Sequence, residues 1–155
     1  MTAGEQHKRV LVVDDDASIR ELLGSVLRGH SMIVDEAADG AEALELIRGN
    51  RYAVILLDLL MPVVDGFAVL EKLDATGDGS QPVVLVISGA DRRTLDQLDS
   101  QRIHGVVRKP FDAEELAMLV VACSEVRGRA NLGTMAIATM LAGGPILALL
   151  NRFNT

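Results

Sequence analysis

Val10-Leu11-Val12-Val13-Asp14-Asp15-Asp16 decides the fold. Four aliphatic residues with no polar alternation read as a strand buried on both faces. Three carboxylates end the run. Ile19, Leu22, Leu23, Val26 and Leu27 then follow at i, i+3, i+4, i+7 and i+8, a helix with one apolar stripe, for which Ser18 is a candidate cap. The same unit recurs along the chain. Further short aliphatic runs stand at Met32–Val34, Val54–Leu57, Val83–Ile87 and Gly105–Val107. Helical stripes follow them: Ala43, Leu44 and Ile47; Phe67, Leu70 and Leu73; Leu95 and Leu98, the weakest; and Leu116, Leu119, Val120 and Cys123. The last is opened by Asp112, Glu114 and Glu115, which suit the positive end of a helix. Five strand–helix units in alternation predict an α/β fold, a parallel sheet covered on both faces with right-handed crossovers.

The 155 residues suffice for one domain of ordinary size. With 15 Lys+Arg against 22 Asp+Glu, the net charge is −7, which argues against a general nucleic-acid binder. One Tyr, three Phe and no Trp also leave little for base stacking. Cys123 is the only cysteine; it excludes an internal disulfide and a multi-cysteine zinc site, fits a reducing compartment, and makes the cytoplasm the expected location. No secretory signal is expected, because the first apolar run is short and is followed by three Asp. His7, His30 and His104 show no ligand spacing to one another.

Ligands of such sheets bind beyond the carboxyl ends of the strands. There the sequence places Asp14, Asp15 and Asp16 after strand one, Asp58 after strand three, Ser88-Gly89-Ala90 after strand four, and Lys109-Pro110 after strand five. Alone, the acidic run reads as a solvated turn, Ser-Gly as a turn pair, and Lys109 as a surface lysine. Together, four acids, a hydroxyl and an amine gather at one edge. Carboxylates this close repel unless a cation joins them, and hard oxygen donors suit Mg²⁺. Pro110 fixes the backbone after the amine, in a setting open to a cis peptide.

These residues resemble a family. Leu11-Val12-Val13-Asp14-Asp15-Asp16, the run from Leu57 to Gly66 with its Asp-x-x-Met-Pro-x-x-Asp-Gly pattern, Ser88-Gly89-Ala90 and Lys109-Pro110-Phe111-Asp112 are similar to the receiver domain of two-component response regulators. The resemblance covers roughly residues 8–126, with the motifs in family order. It implies a flavodoxin-like, doubly wound five-stranded sheet of order 2-1-3-4-5, an order for which a member of this family is a standard example. It implies that Asp58 accepts a phosphoryl group from a histidine kinase, a phosphotransfer protein or a small phosphodonor. Asp15, Asp58 and the backbone carbonyl of Leu60 would hold Mg²⁺, with Asp14 acting mainly through water. Ser88 and Lys109 would bind phosphoryl oxygens. Such a chain is a signalling module that changes contacts with a downstream protein, and not an enzyme beyond slow loss of its own phosphoryl group. A carboxylate is a competent nucleophile for this transfer, which depends on positioning and charge cancellation.

Two positions depart from the family pattern, the minor one being Ser88, where Thr is commoner. Val106 stands three residues before Lys109, where an aromatic switch residue is usual, so switching is expected to rest on Ser88. Met61 and Phe67 are expected to be core or site wall, and Arg92 and Arg93 to be solvated. A rival of another class shares part of the pattern. Asp14-x-Asp16, Ser88 and Lys109 also resemble a haloacid-dehalogenase-type Mg²⁺ phosphatase with Asp14 as nucleophile. That family needs a further acidic pair on another strand, whereas Asp112, Glu114 and Glu115 open a helix, and it leaves Asp58 and Met61-Pro62 without a role.

The expected organisation is a receiver domain over residues 1–126 and an apolar extension over 127–155. Residues 130–151 carry no charge and follow Arg127 and Arg129, close to the ~20 residues that span a bilayer. Gly143-Gly144-Pro145 interrupts them. The expectation is a helix over Leu132–Ala142, a break, and an apolar turn from Ile146 to Leu150, buried in a homodimer. Membrane contact is the less favoured alternative.

Overall fold

Strands β1 (Arg9–Val13), β3 (Val54–Asp58) and β4 (Val83–Ser88) form the middle of a parallel sheet edged by β2 (Ile33–Ala37) and β5 (Gly105–Arg108). The structure is a computed structural model and describes residues 8–73 and 81–128. The strand order, β2-β1-β3-β4-β5, is that of the flavodoxin-like fold. All residues of β3 and β4 are buried, as their unalternating aliphatic runs require.

Five helices cover the sheet: α1 (Ala17–Gly29), α2 (Gly40–Gly49), α3 (Gly66–Leu73), α4 (Arg92–Leu95) and α5 (Ala113–Gly128). The period-two geometry of the strands sorts their side chains into two cores. Val10, Val12, Val54, Leu56, Leu85 and Ile87 meet Leu23 and Leu27 of α1 and Leu116, Leu119 and Val120 of α5. Leu11, Val13, Ile55, Leu57, Val84 and Val86 meet Ala43 of α2 and Val69, Leu70 and Leu73 of α3. Each such Val, Leu or Ile side chain contributes roughly 1.5–3 kcal/mol when fully buried. Cys123 lies in the first core at 2% exposure, and burial pushes its thiol pKa up to about 12.

The structure corrects three boundaries. The cap of α1 is Asp16, whose side chain accepts the Ser18 N–H at 2.9 Å, and Ser18 is already helical. The second strand starts at Ile33 and continues through Asp35 and Glu36. These charges are tolerated because the strand is an edge and each is paired: Asp35 with Arg9 and Tyr52, Glu36 with Arg20 and Arg28. The fourth helix is one turn, so Leu98 lies beyond it while still packing on the second core.

Among the described residues no helix is long and apolar enough to cross a membrane. The expected helix over 132–142, the apolar turn after it, and the dimer and membrane readings of 130–151 all lie outside the described residues.

Candidate functional site

Asp14 follows β1 directly and is 2% exposed. Every polar group it offers is engaged. Its N–H donates to the Ala37 carbonyl at 3.1 Å, and its own carbonyl accepts from Arg20 Nη1 at 2.8 Å. Asp14 Oδ1 accepts the Asp16 N–H at 2.9 Å, and Oδ2 accepts from Lys109 Nζ at 2.8 Å. Asp58 closes β3 at 5% exposure, with Lys109 Nζ 3.4 Å from Oδ2 and the Leu60 N–H 3.4 Å from Oδ1. Asp14, Asp15 and Asp58 each bring a carboxylate oxygen within 4.8 Å of the others. Of the four acids expected at this edge, three converge. Asp16 does not join them, because its carboxylate is spent capping α1.

The sheet register brings the remaining groups to the same edge. Asp58 is level with Ile87, so Ser88 lies one residue further along the neighbouring strand. Ser88 is fully buried, and its Oγ accepts the Ala90 N–H at 3.0 Å. Ser88 pairs with Arg108, and its carbonyl accepts the Lys109 N–H at 3.0 Å, fixing Lys109 at the end of β5. The Lys109–Pro110 peptide is cis.

The loop after β3 is fastened at both ends. Leu59 is buried, its carbonyl accepts the Gly66 N–H at 3.0 Å, and the Val64 carbonyl accepts the Gly40 N–H at 3.0 Å. A Cβ on Gly66 would lie 2.4 Å from the Asp58 carbonyl oxygen. Only glycine lets α3 begin that close to the acid. Between these anchors Leu60 and Val63 are 57% and 85% exposed, and Val63 holds φ at 70°.

Electrostatics follow from this crowding. Burial and the neighbouring Asp14 charge raise the Asp58 carboxyl above the usual range, against the opposing pull of Lys109 and the Leu60 N–H. Burial works against the charge on Lys109, but its hydrogen bond to Asp14 and the charges of Asp58 and Asp14 outweigh it and raise its pKa. One lysine thus serves two buried carboxylates, with a third exposed acid beside them. An oxygen-only donor set with surplus negative charge fits a hard divalent cation such as Mg²⁺.

Other side chains singled out in the sequence stand apart. Val106 is partly buried and packs on the second core. Met61 is buried and Phe67 packs partly buried beside it in that core. Arg92 and Arg93 are exposed on α4. His30 Nε2 meets Glu114 Oε1 at 2.5 Å, and His104 Nδ1 accepts the Val84 N–H at 3.0 Å. Asp112 accepts the Glu115 N–H at 2.9 Å. Asp112 therefore serves the helix and Glu114 meets His30, rather than the two forming a second acidic pair of phosphatase type. The contact of Arg20 with this site was not legible in the sequence: nothing in its spacing links it to Asp14 or Glu36, and only the packing of α1 beside β2 joins them.

A family model described as the response regulator receiver domain matches residues 10–121. The response regulator MprA of Mycobacterium sp. (strain KMS) is 40% identical over 108 residues, which is 70% of this chain and 46% of that protein. The chain thus spans about half the length of the curated relatives it matches. Among solved structures, the receiver domain of a Francisella response regulator is 29% identical with a TM-score of 0.68, covering 77% of this chain and 98% of that one. The response regulator TrrA from Thermotoga maritima, solved in complex with Mg(2+)-BeF, is 29% identical with a TM-score of 0.65, covering 75% and 98%. Neither the matched family nor these relatives support the phosphatase reading. The chain belongs to the response regulator receiver domain family, the signalling modules of two-component systems.

Proposed function

We propose that this chain is a phosphorylation-controlled binding module in which Asp58 accepts a phosphoryl group from the phosphohistidine of a kinase or phosphotransfer protein, or from a small acyl phosphate. The observation that carries the reading is the pairing of Lys109 with both Asp14 and Asp58 at the strand ends, with a carboxylate of Asp15 in reach. In the transfer, an Asp58 carboxylate oxygen bonds to phosphorus. The donor's P–N or P–O bond breaks with its electron pair leaving on the donor atom, and an acyl phosphate remains on the chain.

Asp15, Asp58 and the Leu60 carbonyl would hold Mg²⁺, with Asp14 acting through water. The ion would supply charge neutralisation over the phosphoryl oxygens. Lys109 neutralises a second oxygen from the other side, leaving its bond to Asp58 for one to the phosphoryl group. Ser88 keeps its hydroxyl proton for a third oxygen while its Oγ still accepts from Ala90. Shifting Ser88 toward the phosphoryl group draws on the β4–α4 connection, and that loop carries the signal to a downstream protein. The receiver spans residues 1–126 in this reading, and 127–155 form an apolar addition that joins two copies.

The test is Asp58→Asn in the full chain. Labelling by a small acyl phosphate should vanish while the circular dichroism spectrum and Tm stay near wild type, and chelating Mg²⁺ should abolish labelling of the unmutated chain. Stoichiometric phosphate on another residue of the variant would refute the assignment.

A further inference from the structure

We infer that Arg20, held by Glu36, is a positioning residue for the metal site, acting on the peptide that joins Asp14 to Asp15. The inference rests on the proposed use of Asp15, Asp58 and Asp14 around Mg²⁺.

Arg20 Nη1 donates to the Asp14 carbonyl at 2.8 Å. That oxygen belongs to the planar Asp14–Asp15 peptide, so fixing it sets the direction in which both side chains leave the backbone. On the other side of Asp14, its N–H is bonded to Ala37 at the end of β2. The peptide planes before and after Asp14 thus each carry an anchor, and Arg20 is one on the side of the exposed acid.

Arg20 is itself held in place. Its Nε lies 3.9 Å from Glu36 Oε1, and Arg28 Nη2 lies 3.2 Å from Glu36 Oε2. The Arg20 side chain is 19% exposed. A guanidinium suits this task, since it donates to the carbonyl while its charge faces the Glu36 carboxylate.

The sign of the effect separates positioning from simple charge. A cation beside a metal site opposes Mg²⁺ by Coulomb repulsion, so losing Arg20 as a charge alone would tighten Mg²⁺ binding. Losing it as an anchor frees the Asp14–Asp15 peptide and weakens binding. Partners that orient metal ligands commonly change affinity by 10–100-fold, and one acting through the backbone belongs at the low end, about tenfold.

The experiment is calorimetric titration of the full chain with MgCl₂, beside the Mg²⁺ dependence of labelling by a small acyl phosphate. Arg20→Met should weaken Mg²⁺ about tenfold and raise the Mg²⁺ needed for half-maximal labelling in parallel, with the rate at saturating Mg²⁺ largely retained. Arg20→Lys, keeping a donor without the fork, should recover part of the affinity. Glu36→Gln, which leaves Arg20 in place but loosens it, should weaken Mg²⁺ by a smaller factor. Should Arg20→Met fail to fold, Arg20→Lys against the unmutated chain decides, because it keeps the charge and loses the guanidinium. Unchanged or tighter Mg²⁺ binding in a folded Arg20→Met, or in Arg20→Lys where the Met variant does not fold, would overturn the inference and leave the metal site standing. A wild-type chain whose Mg²⁺ binding is absent, or is indifferent to Asp15→Asn, would overturn the site reading and this inference with it.

Discussion

Lys109 and Asp14 each leave a strand at the carboxyl edge of a parallel sheet, where ligands of such sheets bind, and were legible there in the sequence. Val63 was not. It is 85% exposed in the loop after Asp58 and holds φ at 70°, a region that suits glycine. A left-handed backbone costs an L-residue roughly 1–2 kcal/mol, while glycine forfeits up to about 1 kcal/mol through its freer unfolded chain. Val63→Gly should therefore stabilise the protein by about 0.5–1 kcal/mol, seen as a rise in Tm in calorimetry. Val63→Ala, which keeps a Cβ in the same backbone, should gain less. A lower Tm for the glycine variant would show that the valine side chain has a stabilising contact that its exposure conceals.

Elements were readable wherever apolar periodicity was strong. β3 and β4 follow from runs with no polar interruption, and α1 from five apolar residues on one stripe. The misread end of β2 is stabilised by partners distant in sequence. Asp35 and Glu36 extend β2 because Arg9, Tyr52, Arg20 and Arg28 arrive from other elements, and no local pattern announces that. Likewise His104, whose ring takes the place of a backbone acceptor for Val84 just before β5, carries no sequence signal. At this scale the expectation concerns the switch. Val106 lies partly buried on β5 and Ser88 fully buried at the end of β4. Addition of beryllofluoride and Mg²⁺ should change amide hydrogen exchange in the loop from Gly89 to Asp91. Ser88→Ala should remove that change. Val106→Ala should retain it, at a packing cost of about 1–2 kcal/mol. The opposite pattern would move the switch from the hydroxyl to position 106.

For the molecule as a whole, two buried acids and one lysine end three strands, and the order β2-β1-β3-β4-β5 brings those strand ends together. That much followed from the strand-end residues, because parallel topology carries every strand's last residue to one edge. The tail follows a different logic. Residues 130–151 carry no charge, and an apolar stretch of that length favours burial over exposure to water. Light scattering on the full chain should give a dimer that becomes a monomer when residues 130–155 are removed. A monomeric full chain in plain buffer would defeat that reading, and dependence on detergent would favour membrane contact. The central claim is that Asp58 is the nucleophile, and its most direct measurement is a crystal structure of the full chain with Mg²⁺ and beryllofluoride. Beryllium should bond to an Asp58 carboxylate oxygen, with Lys109 and Ser88 on the fluorines and Mg²⁺ on Asp15. An adduct on Asp14 would contradict the claim and restore the phosphatase reading.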